Sequence, residues 1–316
     1  MGYTAPTLRH RYIAAIFGLA VAMVPLHLQA ASELEQHLRY QYTDKTLVLR
    51  NFYQGERLKY DSGGSPVSAS AVSGDWTLDG VVRVTALKMS GARLIIEAER
   101  LSVAVDRQGF QLQHDIGKSK DKKSDRVRIE VEFDSKDISA AKADAVLSRV
   151  FLTAQDRFAD LVPDYWKPCV LAASTGKNGK QYTACRFPPE FAAIPGVVAS
   201  SEESPEASAA SDVEVKTSDS PVARIGKGVT PPKVVSRNEP PFSDEARRAK
   251  YQGTAVVSLI VDKTGQARNI RVVNPLGFGL DRKAVETIST WRFDPSKKDG
   301  EPVDVEIFVE VSFHLY

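Results

Sequence analysis

The chain has 316 residues, 42 % hydrophobic and 26 % charged, which is typical of folded domains and long enough for two of them. Its 42 lysines and arginines nearly balance its 40 aspartates and glutamates, which leaves a formal net charge of +2. This balance excludes the strong basic field of nucleic-acid-binding proteins, so we expect no nucleic-acid partner.

The first segment of the chain is predicted to direct export. The basic residues 9–11 precede an uncharged run, 12–32, whose core reads IAAIFGLAVAMV. A basic start, a short apolar core and small residues at Ala30 and Ala31 are typical of a secretory signal peptide. The run also has the ~20 residues that a membrane span requires. Residues 1–31 are therefore predicted to be either a cleaved signal or a retained membrane anchor, with the rest of the chain exported.

Residues 33–195 are predicted to form a β-rich domain with one helix. Short β-branched segments, separated by Gly, Asp and Ser clusters, indicate strands. From Ser139 the apolar residues take a helical spacing that continues to Leu161, so we expect one helix that ends before Pro163. The segments predicted as strands are 46–52, 80–89, 92–106 and 126–133.

The two cysteines, Cys169 and Cys185, bracket a segment with the turn residues Gly176, Asn178 and Gly179. In an oxidising compartment we expect a disulfide that closes a hairpin here, worth about 3 kcal/mol. Two free thiols are the alternative. We expect no metal site, because no histidine lies near these cysteines in sequence.

Residues 196–230 differ in composition from the segments on either side. Ser, Ala, Glu and Asp dominate this stretch, and aromatic residues are absent from it. Such a segment lacks the apolar side chains needed to bury a core, so it is predicted to be a disordered linker.

Residues 231–316 are predicted to form a small α+β domain, with two helices against a three-stranded antiparallel sheet. Ser243 is placed to cap the first helix and Asp281 the second. The sequence DKTG at 262–265 is predicted to be the turn between the first two strands. The predicted strands are 254–261, 267–274 and the final segment, 303–316.

The final segment, VDVEIFVEVSFHLY, has the clearest strand pattern of the chain. Its odd positions are apolar and its even positions are mostly polar. Side chains alternate between the two faces of a strand, so one face is expected to be buried and the other exposed. The apolar positions are Val303, Val305, Ile307, Val309, Val311, Phe313 and Leu315.

An ordered set of motifs in this last quarter of the chain resembles the TonB C-terminal domain. The set begins with a Pro–aromatic pair before a short helix and continues to a Gly-x-Pro turn before the last strand. Its members are Pro241-Phe242, Gly253-Thr254, Val261-Asp262 with Gly265, Leu280-Asp281, WRFDP at 291–295, and Gly300 with Pro302.

This resemblance implies a non-enzymatic periplasmic protein of the energy-transduction system. Family members sit in the inner membrane with ExbB and ExbD, and their C-terminal domain grips the TonB box of an outer-membrane TonB-dependent receptor. The receptor peptide is added as a strand beside the last strand, because an unpaired edge accepts another backbone. The implied partner-binding residues are Val303, Val305, Ile307, Phe308, Val309, Glu310, Val311 and Phe313. The alternative is that this strand only completes the sheet.

Three features depart from that family pattern. The only candidate for the membrane histidine of the family is His27, near the end of the uncharged run. An acidic linker replaces the usual Pro/Lys-rich spacer, and the domain at 33–195 stands before it. The alternative function is therefore a soluble periplasmic binding or scaffold protein that uses a TonB-like domain for protein contacts. ExbB and ExbD are expected as partners only if the N-terminus is retained, and a homodimer is left open.

No enzyme motif is complete in this sequence. YDSGGSP at 60–66 is similar to the sequence around a protease nucleophile, but Ser65 interrupts the motif and no histidine segment accompanies it. A turn between strands is the simpler interpretation. No phosphate loop, dinucleotide fingerprint or zinc-protease motif is present, so we expect no catalysis, cofactor or metal.

Overall fold

The computed structural model describes Gly2 and residues 26–67, 72–114, 125–176, 181–198, 222–226 and 228–315, with only the backbone given for 26–32. Apart from Gly2 and 26–31, the predicted signal or anchor lies outside the described residues. The central part of the predicted linker, 199–221, also lies outside them. Among the helices that are described, none combines the length and the apolar character needed to cross a membrane.

The first part of the structure combines helices with a six-stranded sheet. The strand order is β1-β3-β4-β6-β2 with β5 also on β4, and all pairs are antiparallel except β2 with β6. The elements are α1 (Leu26–Tyr42), β1 (Thr46–Val48), β2 (Arg57–Tyr60), α2 (Trp76–Asp79), β3 (Val81–Ser90), β4 (Arg93–Asp106), β5 (Gly109–Gln113), β6 (Arg126–Glu132), α3 (Ala140–Val150), α4 (Phe158–Leu161), α5 (Lys167–Thr175) and α6 (Pro189–Ala192). The α+β class is confirmed, although this part contains more helices than the one that was predicted.

One face of this sheet packs against α1 and α3. Leu94 and Ile96 of β4 and Ile129 of β6 are fully buried, and they share a hydrophobic core with Leu38 of α1 and Leu147 of α3. The alternation of apolar residues in the predicted strands therefore does mark a buried face, as expected from period-two patterning.

The predicted helix from Ser139 to Leu161 is wrong beyond Val150. Ser139 caps α3 as expected, since its side chain accepts a hydrogen bond from the amide of Lys142. After Val150 the chain becomes extended, because Phe151 forms an antiparallel bridge with Leu49 and the amide of Leu152 donates to the Val48 carbonyl at 2.8 Å. Pairing with the sheet edge thus ends the helix, although the apolar spacing would allow it to continue.

Cys169 and Cys185 form a disulfide, but the segment between them is not the predicted hairpin. Cys169 lies within α5, a helix that ends at Gly176, whose φ of +64° is favourable for glycine. Residues 177–180, which contain the other turn residues, lie outside the described part of the chain. The disulfide therefore links a helix to a loop.

The second part has the predicted architecture. Two helices, α7 and α8, accompany the antiparallel sheet β13-β8-β9. The Ser243 hydroxyl accepts from the amide of Ala246 and so caps α7 as predicted. The elements are β7 (Lys233–Ser236), α7 (Asp244–Arg248), β8 (Gly253–Val261), β9 (Ala267–Asn274), α8 (Leu280–Ser289), β10 (Arg292–Asp294), β11 (Lys297–Lys298), β12 (Glu301–Pro302) and β13 (Val305–Phe313).

The two parts share one hydrophobic core. Trp76 and Trp166, whose ring centroids are 4.9 Å apart, belong to the same buried cluster as Phe278 and Ile288 of the second part. Polar contacts follow the same junction: the amide of Gly279 donates to the Thr77 hydroxyl at 2.8 Å. The predicted linker therefore connects two parts that pack directly against each other.

A candidate docking edge on the last strand

The last strand, β13, lies at one edge of its sheet. It pairs antiparallel with β8, with Val305 opposite Val261 and Phe313 opposite Gly253. On its other side, the described residues provide one bridge, between Ala223 and Val305. The rest of that side is therefore without a strand partner in the described structure.

The opposite edge of the sheet is covered. The amide of Val272 in β9 donates to the Tyr165 carbonyl at 2.8 Å, and Gly277, just after β9, forms an antiparallel bridge with Ala104. The first part of the protein therefore occupies the β9 edge. Of the two edges of this sheet in the described structure, β13 is the one to which a further strand can be added.

The two faces of β13 differ as the sequence predicted. Val305, Val311 and Phe313 are buried, and Ile307 and Val309 are partly buried against the shared core. On the other face, Phe308 is 51 % exposed, and the polar residues around it are also exposed: Glu306, Glu310 and Ser312.

The direction of the backbone groups on β13 follows from one hydrogen bond. The Asp304 carbonyl accepts from the amide of Ala223 at 2.8 Å and so points away from β8. Backbone groups of successive residues in a strand point to opposite sides, so every second residue after Asp304 also points away from β8. We call the outward backbone groups of Glu306, Phe308, Glu310 and Ser312 the docking edge.

The predicted partner-binding residues occupy different positions relative to the docking edge. Phe308 and Glu310 present their backbone groups on it. The odd-numbered residues of the strand direct their backbone groups toward β8 and form its buried or partly buried face: Val305, Ile307, Val309, Val311 and Phe313. Val303 precedes the strand, and its amide donates to the Ser296 carbonyl at 2.9 Å. The prediction omitted Glu306 and Ser312, which lie at even positions, because side-chain alternation does not reveal which backbone groups point away from β8.

The turn at 262–265 fixes the start of β13. The Asp262 carboxylate accepts hydrogen bonds from Thr264, Gln266 and Arg268. Burial acts to raise the pKa of Asp262, but these hydrogen bonds outweigh it and lower the pKa to about 2. The adjacent amide of Lys263 donates to the Asp304 side chain at 2.9 Å, which ties this turn to the beginning of the docking edge.

A buried aspartate holds the loop between β9 and α8. The Asp281 carboxylate accepts from the amide of Leu276 at 3.0 Å and from that of Gly277 at 2.6 Å. Burial raises the pKa of Asp281 to about 7 in spite of these hydrogen bonds. Asp281 therefore stabilises the loop that contacts the first part of the protein. The prediction that Asp281 caps α8 is wrong, because Gly279 lies at the N-cap position and no side-chain cap hydrogen bond is made there.

The comparisons with known proteins concern this second part. Residues 238–315 match the family described as Gram-negative bacterial TonB protein C-terminal. Protein TonB of Vibrio cholerae serotype O1 is 29 % identical over 86 residues, which are 27 % of this chain and 35 % of that protein. The chain therefore spans little more than a third of the length of this relative. The solution NMR structure of the Pseudomonas aeruginosa TonB CTD is 18 % identical, with a TM-score of 0.24, and the match covers 29 % of this chain and 93 % of that chain.

Residues 238–315 are thus a TonB C-terminal domain, and the resemblance found in the sequence motifs is confirmed. The docking edge belongs to this domain.

Proposed function

We propose that this chain is a non-enzymatic periplasmic protein that docks on outer-membrane TonB-dependent transporters and couples them to inner-membrane energy. The receptor segment, the TonB box, is added as a strand along the docking edge. The observation that carries this proposal is the unpaired side of β13 in a TonB C-terminal domain.

Strand addition suits this edge for a physical reason. Backbone hydrogen bonds provide affinity without requiring a particular sequence, whereas side-chain contacts on alternating positions provide selectivity. The outward groups of Phe308, Glu310 and Ser312 supply donors and acceptors, and the half-exposed ring of Phe308 supplies apolar surface.

Energy coupling requires an anchored N-terminus. If residues 12–32 are retained in the inner membrane, ExbB and ExbD are the proposed partners, and the chain can transmit force. If this segment is cleaved, the chain has no such anchor, and a soluble binding or scaffold protein is the second candidate. The shared core favours this second candidate, because it holds the C-terminal domain against the rest of the protein.

Docking is tested with a fluorescent peptide that carries the TonB box of a transporter from the same envelope. Phe308→Pro removes an outward amide while keeping the inward hydrogen bonds to β8, so we expect peptide binding to be lost and the fold to be kept. Phe308→Thr is the matched control, because it removes the ring but keeps the amide, and we expect it to bind. If Phe308→Pro binds as well as Phe308→Thr, docking by strand addition at this edge is wrong.

The anchor is tested by the mass of the mature protein from the cell envelope. A chain that retains residues 12–32 supports the energy transducer. A chain that starts near Ala31 or Ser32 excludes direct force transmission and supports the soluble binding protein.

A further inference from the structure

The exposed face beside the docking edge is acidic. Glu306 and Glu310 lie on either side of Phe308, on the same face of β13, and both are exposed. Among the described residues, neither glutamate has an ion-pair partner. Two unpaired carboxylates four positions apart therefore flank one exposed aromatic ring at the place where another strand would bind.

The two arginines of β9 on the same face of the sheet lie too far from an added strand to offset the charge of Glu306 and Glu310. The strand register places Arg268 in line with Glu306 across Ile260, and Arg271 in line with Phe308 across Ser258. Both arginines are on β9, two strands from β13, and Arg268 is already paired with Asp262. A strand added beyond β13 would lie three strand spacings from β9, about 14 Å. That distance exceeds the screening length of about 8 Å at physiological salt. The two glutamates therefore dominate the electrostatic potential that the side chains of an added strand experience on this face.

The chain's own segment at this edge already places a cation next to the first glutamate. Ala223 forms a parallel bridge with Val305, so the next residue, Arg224, is in register with Glu306. Arg224 is exposed. A longer strand along the docking edge would displace this single bridge and place its own side chain beside Glu306.

We propose that the strand accepted by this edge is basic, with a lysine or arginine at two positions four residues apart and an apolar residue midway between them. The basic residues face Glu306 and Glu310, and the apolar residue faces Phe308. This inference rests on the proposed docking by strand addition. Because the two basic positions are symmetric about the apolar one, the inference holds for a parallel or an antiparallel partner strand. Opposite charges directly across two strands stabilise the pair, and like charges destabilise it.

The same two glutamates disfavour pairing with a second copy of this chain. An antiparallel pair of β13 strands centred on Phe308 would place Glu306 opposite Glu310 twice. Charged residues on an open edge are a known protection against edge-to-edge association. The charges at the docking edge therefore disfavour pairing with a second copy of this chain and favour pairing with a basic strand.

The test uses the full chain and three labelled peptides that differ at two positions: Thr-Val-Lys-Val-Ile-Val-Lys-Val-Thr, and its Gln and Glu counterparts at the Lys positions. In buffer of low ionic strength we expect the Lys peptide to bind about tenfold tighter than the Glu peptide, a difference of about 1.4 kcal/mol, with the Gln peptide between them. The difference should shrink at about 0.5 M salt, because the Debye length is then only about 4 Å.

The charge-reversed variant Glu306→Lys/Glu310→Lys should invert the order of the three peptides. The matched control is Glu56→Lys/Glu190→Lys, which makes the same change in net charge at two exposed positions outside the second part. We expect this control to keep the wild-type order. Equal binding of the three peptides, or an order unaffected by Glu306→Lys/Glu310→Lys, would overturn the inference.

The failure of this inference can be told apart from the failure of the proposed function. If the transporter-derived peptide binds at the docking edge but the three test peptides show no charge preference, only the charge inference fails. If neither the transporter-derived peptide nor any test peptide binds, docking by strand addition fails and the charge inference fails with it.

Discussion

Gly277 and Ala104 pair through their backbones and join the C-terminal domain to the end of β4. On either side of this bridge, the amide of Val105 donates to the Leu276 carbonyl and the amide of Phe278 donates to the Val103 carbonyl, each at 2.8 Å. Gly277 has a φ of +79°, and a Cβ atom at this position would lie 2.1 Å from the Val103 carbonyl oxygen. Glycine is therefore required here by the backbone conformation and by the close approach of the two parts.

Replacing Gly277 by alanine should weaken the junction between the two parts. We expect the free energy of unfolding to fall by at least about 2 kcal/mol, because the new methyl group must displace the backbone of β4. Urea denaturation followed by tryptophan fluorescence measures this loss, since Trp76 and Trp166 lie in the shared core.

Gly300→Ala is the matched control for this change. Gly300 also has a positive φ, +90°, but a Cβ atom there would meet nothing within 4 Å. It should cost about 1 kcal/mol from backbone strain alone. Equal losses for the two variants would show that the close approach at Gly277 does not contribute.

The sequence allowed the elements of the C-terminal domain to be predicted but not the surface that covers them. Alternation along β13 indicates that one face is buried, and Ser243 indicates where α7 begins. Neither pattern says whether the buried face meets its own helices or another part of the chain. The composition of 196–230 predicts a linker, but it carries no information on contacts between the segments that it joins. Such contacts depend on tertiary packing, which local periodicity does not encode.

The free side of β13 was predicted from the family resemblance, and its alternation of side chains was predicted from the sequence. Which backbone groups point outward depends on the pairing register with β8 and on the bridge from Ala223. The end of α3 is a similar case, because the hydrogen bond from Leu152 to Val48 is made across about a hundred residues of sequence. Long-range pairing of this kind leaves no signal in a local pattern.

Removal of the disulfide should destabilise the protein without changing the docking edge. Cys169 and Cys185 are 16 positions apart in sequence, so we expect Cys169→Ala/Cys185→Ala to lower the free energy of unfolding by about 3 kcal/mol. Thermal unfolding with and without a reductant provides the control. The wild-type protein should lose stability on reduction, whereas the stability of the double variant should not change. A wild-type protein unaffected by complete reduction would contradict this prediction.

Asp281 should make the stability of the protein depend on pH. Its pKa is raised from 3.8 to about 7 in the folded protein, chiefly by burial. The folded state then holds this proton where the unfolded chain releases it, so the stabilisation is full below pH 3.8 and is lost as the pH rises toward 7.

Asp281→Asn tests this assignment in urea denaturation between pH 4 and 8, a range of about four units around the shifted pKa. We expect the variant to show a smaller fall in stability with rising pH than the wild-type protein. Burial also raises the pKa values of Asp75 and Asp79. These two residues therefore also lower the stability as the pH rises, both in the wild-type protein and in Asp281→Asn. Parallel pH profiles for the two proteins would exclude Asp281 as a source of the dependence.

Arg100 should be essential to the first part of the fold. Its buried guanidinium donates to the backbone carbonyls of Asp79, Tyr53 and Gly55 and lies 3.5 Å from the Asp79 carboxylate. Arg100→Met would leave these acceptors without partners, and we expect a loss of about 3–5 kcal/mol.

The control for Arg100 is Arg93→Met, which breaks an exposed pair with Glu132 at 3.6 Å. Exposed ion pairs contribute about 1 kcal/mol or less. Chemical denaturation of both variants should therefore separate them by more than about 2 kcal/mol, and similar losses would mean that burial of Arg100 has little effect on the stability of the fold.

The most direct measurement of docking is amide hydrogen exchange along β13, followed by NMR with and without the TonB box peptide. We predict that the amides of Phe308, Glu310 and Ser312 exchange rapidly in the free protein and become protected when the peptide binds. The amides of Ile307, Val309 and Val311 should be protected in both states, because they face β8. If a saturating amount of bound peptide leaves the exchange of Phe308, Glu310 and Ser312 unchanged, the peptide does not add a strand at this edge.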